Sequence, residues 1–117
     1  MLLRYIIVIS CIFFSTNLFA KYTCKGQVQG VSFEPKTGAL YVEKIGPLQW
    51  QRLCKVNADY NGVSPETCKA IYSILLTAQT TKKEVVLWFN DDQDCSTSSH
   101  IPWSTLTGWY FGPKIEG

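Results

Sequence analysis

The sequence has a single histidine, His100, and its only methionine is the initiator. It has no Cys-x-x-Cys pair and no Gly-x-Ser-x-Gly, and its charges do not favour one sign. Eleven Lys and Arg stand against nine Asp and Glu, a formal net charge of +2, and Arg4 of the leader supplies one of those positive charges. A balance so near neutral gives no electrostatic footprint for nucleic acid or an acidic membrane surface. Acid–base or Cys–His chemistry would have to use His100, which lies beside Ile101-Pro102 in a loop and reads as solvent-facing. The run Ser96-Thr97-Ser98-Ser99 lacks the context of an activated nucleophile. Asp91, Asp92 and Asp94 crowd together without the glycine and terminal glutamate of a calcium loop, so they read as a solvated turn. Adjacent loop carboxylates also lack the fixed separation that glycoside hydrolysis needs. The sequence therefore predicts no catalytic residue, no metal site and no cofactor.

The one long apolar run is near the start. Met1-Leu2-Leu3-Arg4 is followed by Tyr5–Phe14, by Ser15-Thr16-Asn17, and by Leu18-Phe19-Ala20 ahead of Lys21. Charge, apolar core and small residue in that order make residues 1–20 a signal peptide with cleavage near Ala20. The core is shorter than the ~20 residues that span a bilayer, so no permanent membrane anchor is expected. Residues 21–117 then form one small domain, a size at which a covalent staple or a partner subunit is often needed.

Cysteine supplies the staple. Cys11 leaves with the leader, and Cys24, Cys54, Cys68 and Cys95 remain as an even set in an oxidising compartment. Wide spacing and that compartment argue against zinc. Cys54 ends a strand and Cys68 opens a helix, with the turn-rich 57–64 between them, so Cys54–Cys68 is the favoured pair and Cys24–Cys95 the other. The second closes the longer loop and stabilises by about 4 kcal/mol in the chain-entropy account.

The rest of the chain reads as three strands, one helix and two strands. Tyr22–Phe33 is a strand bent at Gly26 and Gly30. Residues 34–38 form a turn, and Ala39–Ile45 pairs back as a hairpin, with Leu40 and Val42 on one face and Tyr41 and Glu43 on the other. Gln49–Val56 alternates again, with Trp50, Cys54 and Val56 on one side and Gln49, Gln51 and Lys55 on the other. Ser64 caps a helix that Pro65 and Glu66 begin and that runs to about Gln79. Its apolar positions Cys68, Ile71, Ile74, Leu75 and Ala78 follow helical spacing, and Tyr72 and Leu76 widen the stripe toward a neighbouring subunit. Glu84–Phe89 is a strand with Val85, Leu87 and Phe89 on one face. Leu106–Phe111 is the last strand, ending at Gly112-Pro113. Mainly β with one α-helix, in the order β-β-β-α-β-β, is the layout of an OB-like five-stranded Greek-key barrel, here disulfide-bonded.

Tyr41-Val42, Trp50 with Leu53-Cys54, the helix into Ala78-Gln79-Thr80-Thr81, Val85–Phe89 and Cys95 resemble small exported proteins of Gram-negative bacteria. More remotely, the passage Ala78–Val85 and the closing Phe111-Gly112-Pro113 resemble the OB-fold B subunits of pertussis-like and subtilase-type toxins. That resemblance implies a secreted or periplasmic homo-oligomer, a pentamer if toxin-like, that grips a glycan. The family's sugar-contacting serine has no counterpart in local context here, so Ser32 is not assigned that role.

Aromatic rings are the most telling group: Trp50, Trp88, Trp103, Trp109, Tyr110 and Phe111. Such faces stack on sugars and anchor protein interfaces. Trp88 shares a strand face with Glu84, and Trp103 follows Pro102 in a loop, so these two are the candidate ligand-binding residues. The expectation is a non-enzymatic binding subunit for a glycan or protein partner. The alternatives are a monomeric periplasmic or envelope protein of structural or inhibitory role and, more remotely, a small hydrolase.

Overall fold

The computed structural model describes residues 20–117. The signal peptide expected over residues 1–20 therefore lies almost wholly outside the described residues. Five strands and one helix follow in chain order: β1 Tyr22–Glu34, β2 Ala39–Ile45, β3 Leu48–Lys55, α1 Pro65–Thr81, β4 Glu84–Phe89 and β5 Trp109–Ile115. The strands form one antiparallel sheet in the order β3-β2-β1-β4-β5.

β1 joins the two halves of that sheet. Its first half pairs with β4, from Tyr22↔Phe89 to Gln27↔Glu84, and its second half pairs with β2, from Val28↔Ile45 to Glu34↔Ala39. Its two glycines each take up a backbone constraint that a side chain would not meet. Gly30 takes φ +67°, and Gly26 runs so close to the β2–β3 turn that an added Cβ would sit 2.1 Å from Gly46 Cα. No side chain fits there, so the crossing depends on glycine.

The helix begins as its sequence signals require. Ser64 Oγ accepts from Thr67 N–H at 3.2 Å, Pro65 opens the first turn and Glu66 lies in it. Its far end is capped by Lys82 in the left-handed region (φ 59°), whose N–H meets the carbonyls of the last turn. Cys68, Ile71, Leu75 and Ala78 are buried and meet Leu40, Leu53, Leu87 and Phe89 in a single core. Leu76 stays on the outer side, 39% exposed.

Two disulfides fasten this framework with the expected pairing. Cys24–Cys95 ties β1 to the loop after β4, and Cys54–Cys68 ties β3 to α1, each with Cα atoms 5.7 Å apart. Among the described residues no helix is long and apolar enough to cross a membrane.

Two expectations about strands need correction. In β3, Gln51 is buried (1% exposed) rather than outward, and Leu53 and Cys54 both reach the core. The cause is a left-handed residue, Trp50 at φ 49°, together with a bulge opposite Leu40/Tyr41, which break strict alternation. The last strand starts at Trp109 rather than Leu106 and continues through the cis Gly112-Pro113 bond to Ile115. Leu106 is drawn elsewhere: it is fully buried, and its N–H bonds to Arg52 carbonyl at 2.9 Å. Proline is tolerated because β5 is an edge strand, where a missing N–H removes no ladder bond.

That Leu106 contact is part of a short parallel connection. Trp103 N–H meets Trp50 carbonyl at 2.8 Å, Arg52 N–H meets Ser104 carbonyl at 2.9 Å, and Arg52 and Thr105 form a parallel bridge. Residues 103–106 thus cover the outer edge of β3.

Candidate functional site

The connection along β3 brings together three rings that are far apart in sequence. Trp50 and Trp103 stack face to face, with centroids 4.5 Å apart and planes 10° apart. Tyr41, across the ladder on β2, tilts against Trp103 at 5.6 Å. Both tryptophans take left-handed backbone, φ 49° for Trp50 and φ 66° for Trp103. That conformation costs a non-glycine residue on the order of 1–2 kcal/mol. Trp103 nevertheless keeps 60% of its surface exposed. Trp103 thus combines a strained backbone with an exposed apolar ring, the kind of outlier from which a functional hypothesis is drawn.

The rings line an open groove of about 340 Å³ with Phe33, Ser32 and Glu34. Ser32 Oγ donates to Gly30 carbonyl at 3.2 Å, and Glu34 accepts from Thr37 Oγ1 at 2.6 Å. An aromatic wall with a few hydroxyl and carboxylate groups at its rim suits a ligand with one apolar face and several hydroxyls. Of the two expected ligand-binding residues, Trp103 lies in this groove. Trp88 does not line it; it meets Phe111 edge-on at 5.3 Å.

Tyr41 and Trp50 are the members that sequence reasoning did not place here. The alternation of β2 set Tyr41 on the face opposite Leu40 and Val42, but the residue is buried there (6% exposed) rather than open to solvent. Trp50 was hidden, because its left-handed turn shows itself only once residues 103–106 dock against it.

A larger apolar groove, about 540 Å³, runs between α1 and β5 along Val63, Ala70, Ile71, Ile74, Trp109 and Gly112. Its lining carries no cluster of ionisable groups.

His100 is not solvent-facing as expected; it is 4% exposed. Its ring packs 5.1 Å from Phe89, and Nε2 lies 3.1 Å from Tyr22 Oη, which donates to Asp91 at 2.6 Å. The loop folds inward because Gln51 Nε2 donates to the carbonyls of His100 and Ile101, each at 3.2 Å. Burial pushes the His100 imidazole below its ordinary value, against the opposing pull of Asp91 and Asp94. Burial and the bond to Asp91 together push the Tyr22 phenol up. These three groups form a polar brace between β1 and the loop after β4, with His100 buried and Tyr22 and Asp91 half-buried.

The acidic turn is also occupied structurally. Asp94 accepts from Ser96 and Ser99, which holds its carboxyl down to about 2, and Asp92 pairs with Lys21 at 2.7 Å. Ser96 and Ser98 hydroxyls lie 2.9 Å apart and neither meets His100. Among the described residues no group of His, Cys, Asp and Glu is arranged to hold a metal. The chain matches no protein family, no curated protein and no solved structure.

Proposed function

We propose that residues 21–117 form an exported, non-enzymatic binding subunit with an OB-like Greek-key barrel, which takes a saccharide on the Trp50–Trp103 platform. The observation that carries this reading is the strained, stacked tryptophan pair, of which Trp103 is exposed and Trp50 half-buried. The barrel is supported by the strand order, by a helix between the third and fourth strands, and by the parallel contact of β3 with residues 103–106. Barrels of that kind bind oligosaccharides through one face and its loops. Two disulfides are compatible with a site of action outside the cytoplasm.

The test is a glycan array followed by titration of the best hits, read by tryptophan fluorescence. Trp103→Ala and Trp50→Ala should each weaken binding by about tenfold or more. Trp88→Ala reports separately on the Trp88–Phe111 surface. A folded protein that is silent on the array, or a hit indifferent to Trp103→Ala, would sink the saccharide reading.

A protein-binding reading has its own support. Tyr110, Phe111 and Leu76 are 50%, 58% and 39% exposed, large apolar side chains on β5 and α1 of the kind that anchor an interface. Light scattering during size exclusion separates the oligomer, including the ring of five that the toxin resemblance implies, from a monomeric envelope protein. The hydrolase alternative has only the buried His100 to draw on. It predicts that His100→Ala abolishes a turnover, and it lapses if a substrate panel shows none.

A further inference from the structure

Arg52 is surrounded by hydroxyls and pairs with no carboxylate among the described residues. It lies across from Tyr41 on β2 and beside Thr105 on its other edge. Its Nε and Nη2 both donate to Tyr41 Oη, the first at 2.8 Å. Its Nη1 donates to Tyr60 Oη at 3.2 Å and to Thr105 Oγ1 at 3.3 Å. A second cation arrives from the same strand: Lys55 Nζ sits 4.7 Å from the centre of the Tyr60 ring. The ion pairs among the described residues are Lys21–Asp92, Lys25–Glu84, Lys69–Glu66 and Lys114–Glu116, and neither Arg52 nor Lys55 takes part.

Counting donors shows what this cluster lacks. Guanidinium and ammonium groups only donate, while each hydroxyl has one proton to give. Tyr41 Oη accepts from Arg52 and keeps its own proton uncommitted. Tyr60 Oη and Thr105 Oγ1 lie 2.5 Å apart and share one proton, so whichever donates, the other's O–H is left over. At least one Nη2–H of Arg52 and the ammonium of Lys55 add to that surplus. The cluster carries more polar hydrogens than its own hydroxyls take up, and its net charge is positive. The Thr105 and Arg52 hydrogen bonds also draw the Tyr60 phenol below its ordinary value, with the charges of Arg52 and Lys55 acting the same way.

We propose that Arg52, Tyr41, Tyr60, Thr105 and Lys55 form an oxyanion-binding site beside the aromatic groove. Arginine brings a permanent charge and one Nη2–H that its fork does not commit to the hydroxyls, and a charge-assisted bond from it to a carboxylate, sulfate or phosphate oxygen is a strong one. The hydroxyls hold that fork in place without neutralising it. Tyr41 links the two sites, its ring against Trp103 and its hydroxyl on Arg52. The anion is therefore either a free inorganic ion or a charged substituent on a ligand seated in the groove.

Inorganic sulfate is the probe, titrated into the folded protein and followed by NMR at the Arg52 side-chain N–H and by thermal shift. Saturable binding is expected. Tyr60→Phe and Lys55→Met, which each delete a donor of the cluster, should each weaken it by about five- to tenfold. Arg52→Gln should abolish it; if that variant fails to fold, the other two decide. Absence of saturation up to about 50 mM overturns the site, as does binding indifferent to both Tyr60→Phe and Lys55→Met. A parallel titration with glucose 6-sulfate separates the sources. Tighter binding than sulfate assigns the anion to a groove ligand, and equal binding assigns it to a free ion; either supports the site. Trp103→Ala removes none of these donors, so failure of the saccharide reading and failure of the anion site remain distinguishable.

Discussion

Replacing Trp103 with glycine should leave a more stable protein than replacing it with alanine, the reverse of the usual order. Both changes remove the ring, with its stack on Trp50 and its contact with Tyr41. With 60% of Trp103 already exposed, the lost burial is worth about 2 kcal/mol and the lost ring pairing about 1 kcal/mol more. These losses are common to the two variants and cancel in the comparison. The backbone at φ 66° remains, because Trp103 N–H is still bonded to Trp50 carbonyl and the neighbouring Ser104 and Leu106 still bond to Arg52. Alanine keeps the Cβ and with it a left-handed penalty of about 1–2 kcal/mol, which glycine lacks. Glycine's greater unfolded-state entropy returns about 0.5–1 kcal/mol of that. The net is about 0.5–1 kcal/mol in favour of glycine. Urea unfolding followed by far-ultraviolet circular dichroism resolves that difference if both variants share one m-value. Alanine equal to or more stable than glycine would refute the strained backbone, and with it the argument that strain marks the platform.

Three further outcomes follow from other parts of the chain. The lone histidine gives one C2–H resonance, and its titration should fall below the ordinary 6.5 because burial dominates its surroundings. Native protein then holds fewer protons than unfolded, so the contribution of His100 is complete above 6.5 and is lost as pH falls from there toward the folded value; a His100→Gln variant should lack that step, and a resonance titrating above 6.5 would contradict the burial. Paired Cys→Ala replacement of Cys24–Cys95, with a sequence separation of 71, should cost about 1.5 kcal/mol more in thermal unfolding than that of Cys54–Cys68, separated by 14, and an inverted order would count against the loop-entropy account. Lys82→Gly, at the left-handed cap of α1, should raise stability by about 0.5–1 kcal/mol, and a loss on denaturant unfolding would show that Lys82 contributes more than its backbone.

The parts of the fold that were legible rest on local signals. Ser64-Pro65-Glu66 starts a helix by capping chemistry that needs no tertiary partner, and the glycines of β1 mark where its backbone is constrained. The cysteine pairing followed from a short turn-rich loop that left one alternative partner. What was misread shares a single origin in the docking of residues 100–106 against β3. That docking buries Gln51 by giving its amide two carbonyls, draws His100 inward, takes Leu106 out of the last strand and turns Trp50 into the left-handed region. Each contact joins segments about fifty residues apart, beyond the reach of any periodicity read along the chain. The site was half legible for the same reason. Trp103 stood out beside Pro102, but its partners Trp50 and Tyr41 arrive by long-range pairing.

The docked segment also sets the symmetry open to this chain. The outer edge of β3 is occupied by residues 103–106, whereas β5, at the other end of the strand order, has no strand beyond it among the described residues. Head-to-tail growth by strand addition needs two complementary free edges, and one of them is already engaged. Two copies that meet strand to strand must therefore meet β5 to β5, an isologous contact that closes on itself as a two-fold pair. A ring of five is heterologous by construction, so it would have to be built from faces, with α1 and its exposed Leu76 against a different patch of the neighbour. Counting subunits in solution thus also tests the edge: a ring of five cannot be held together by β5 meeting β5.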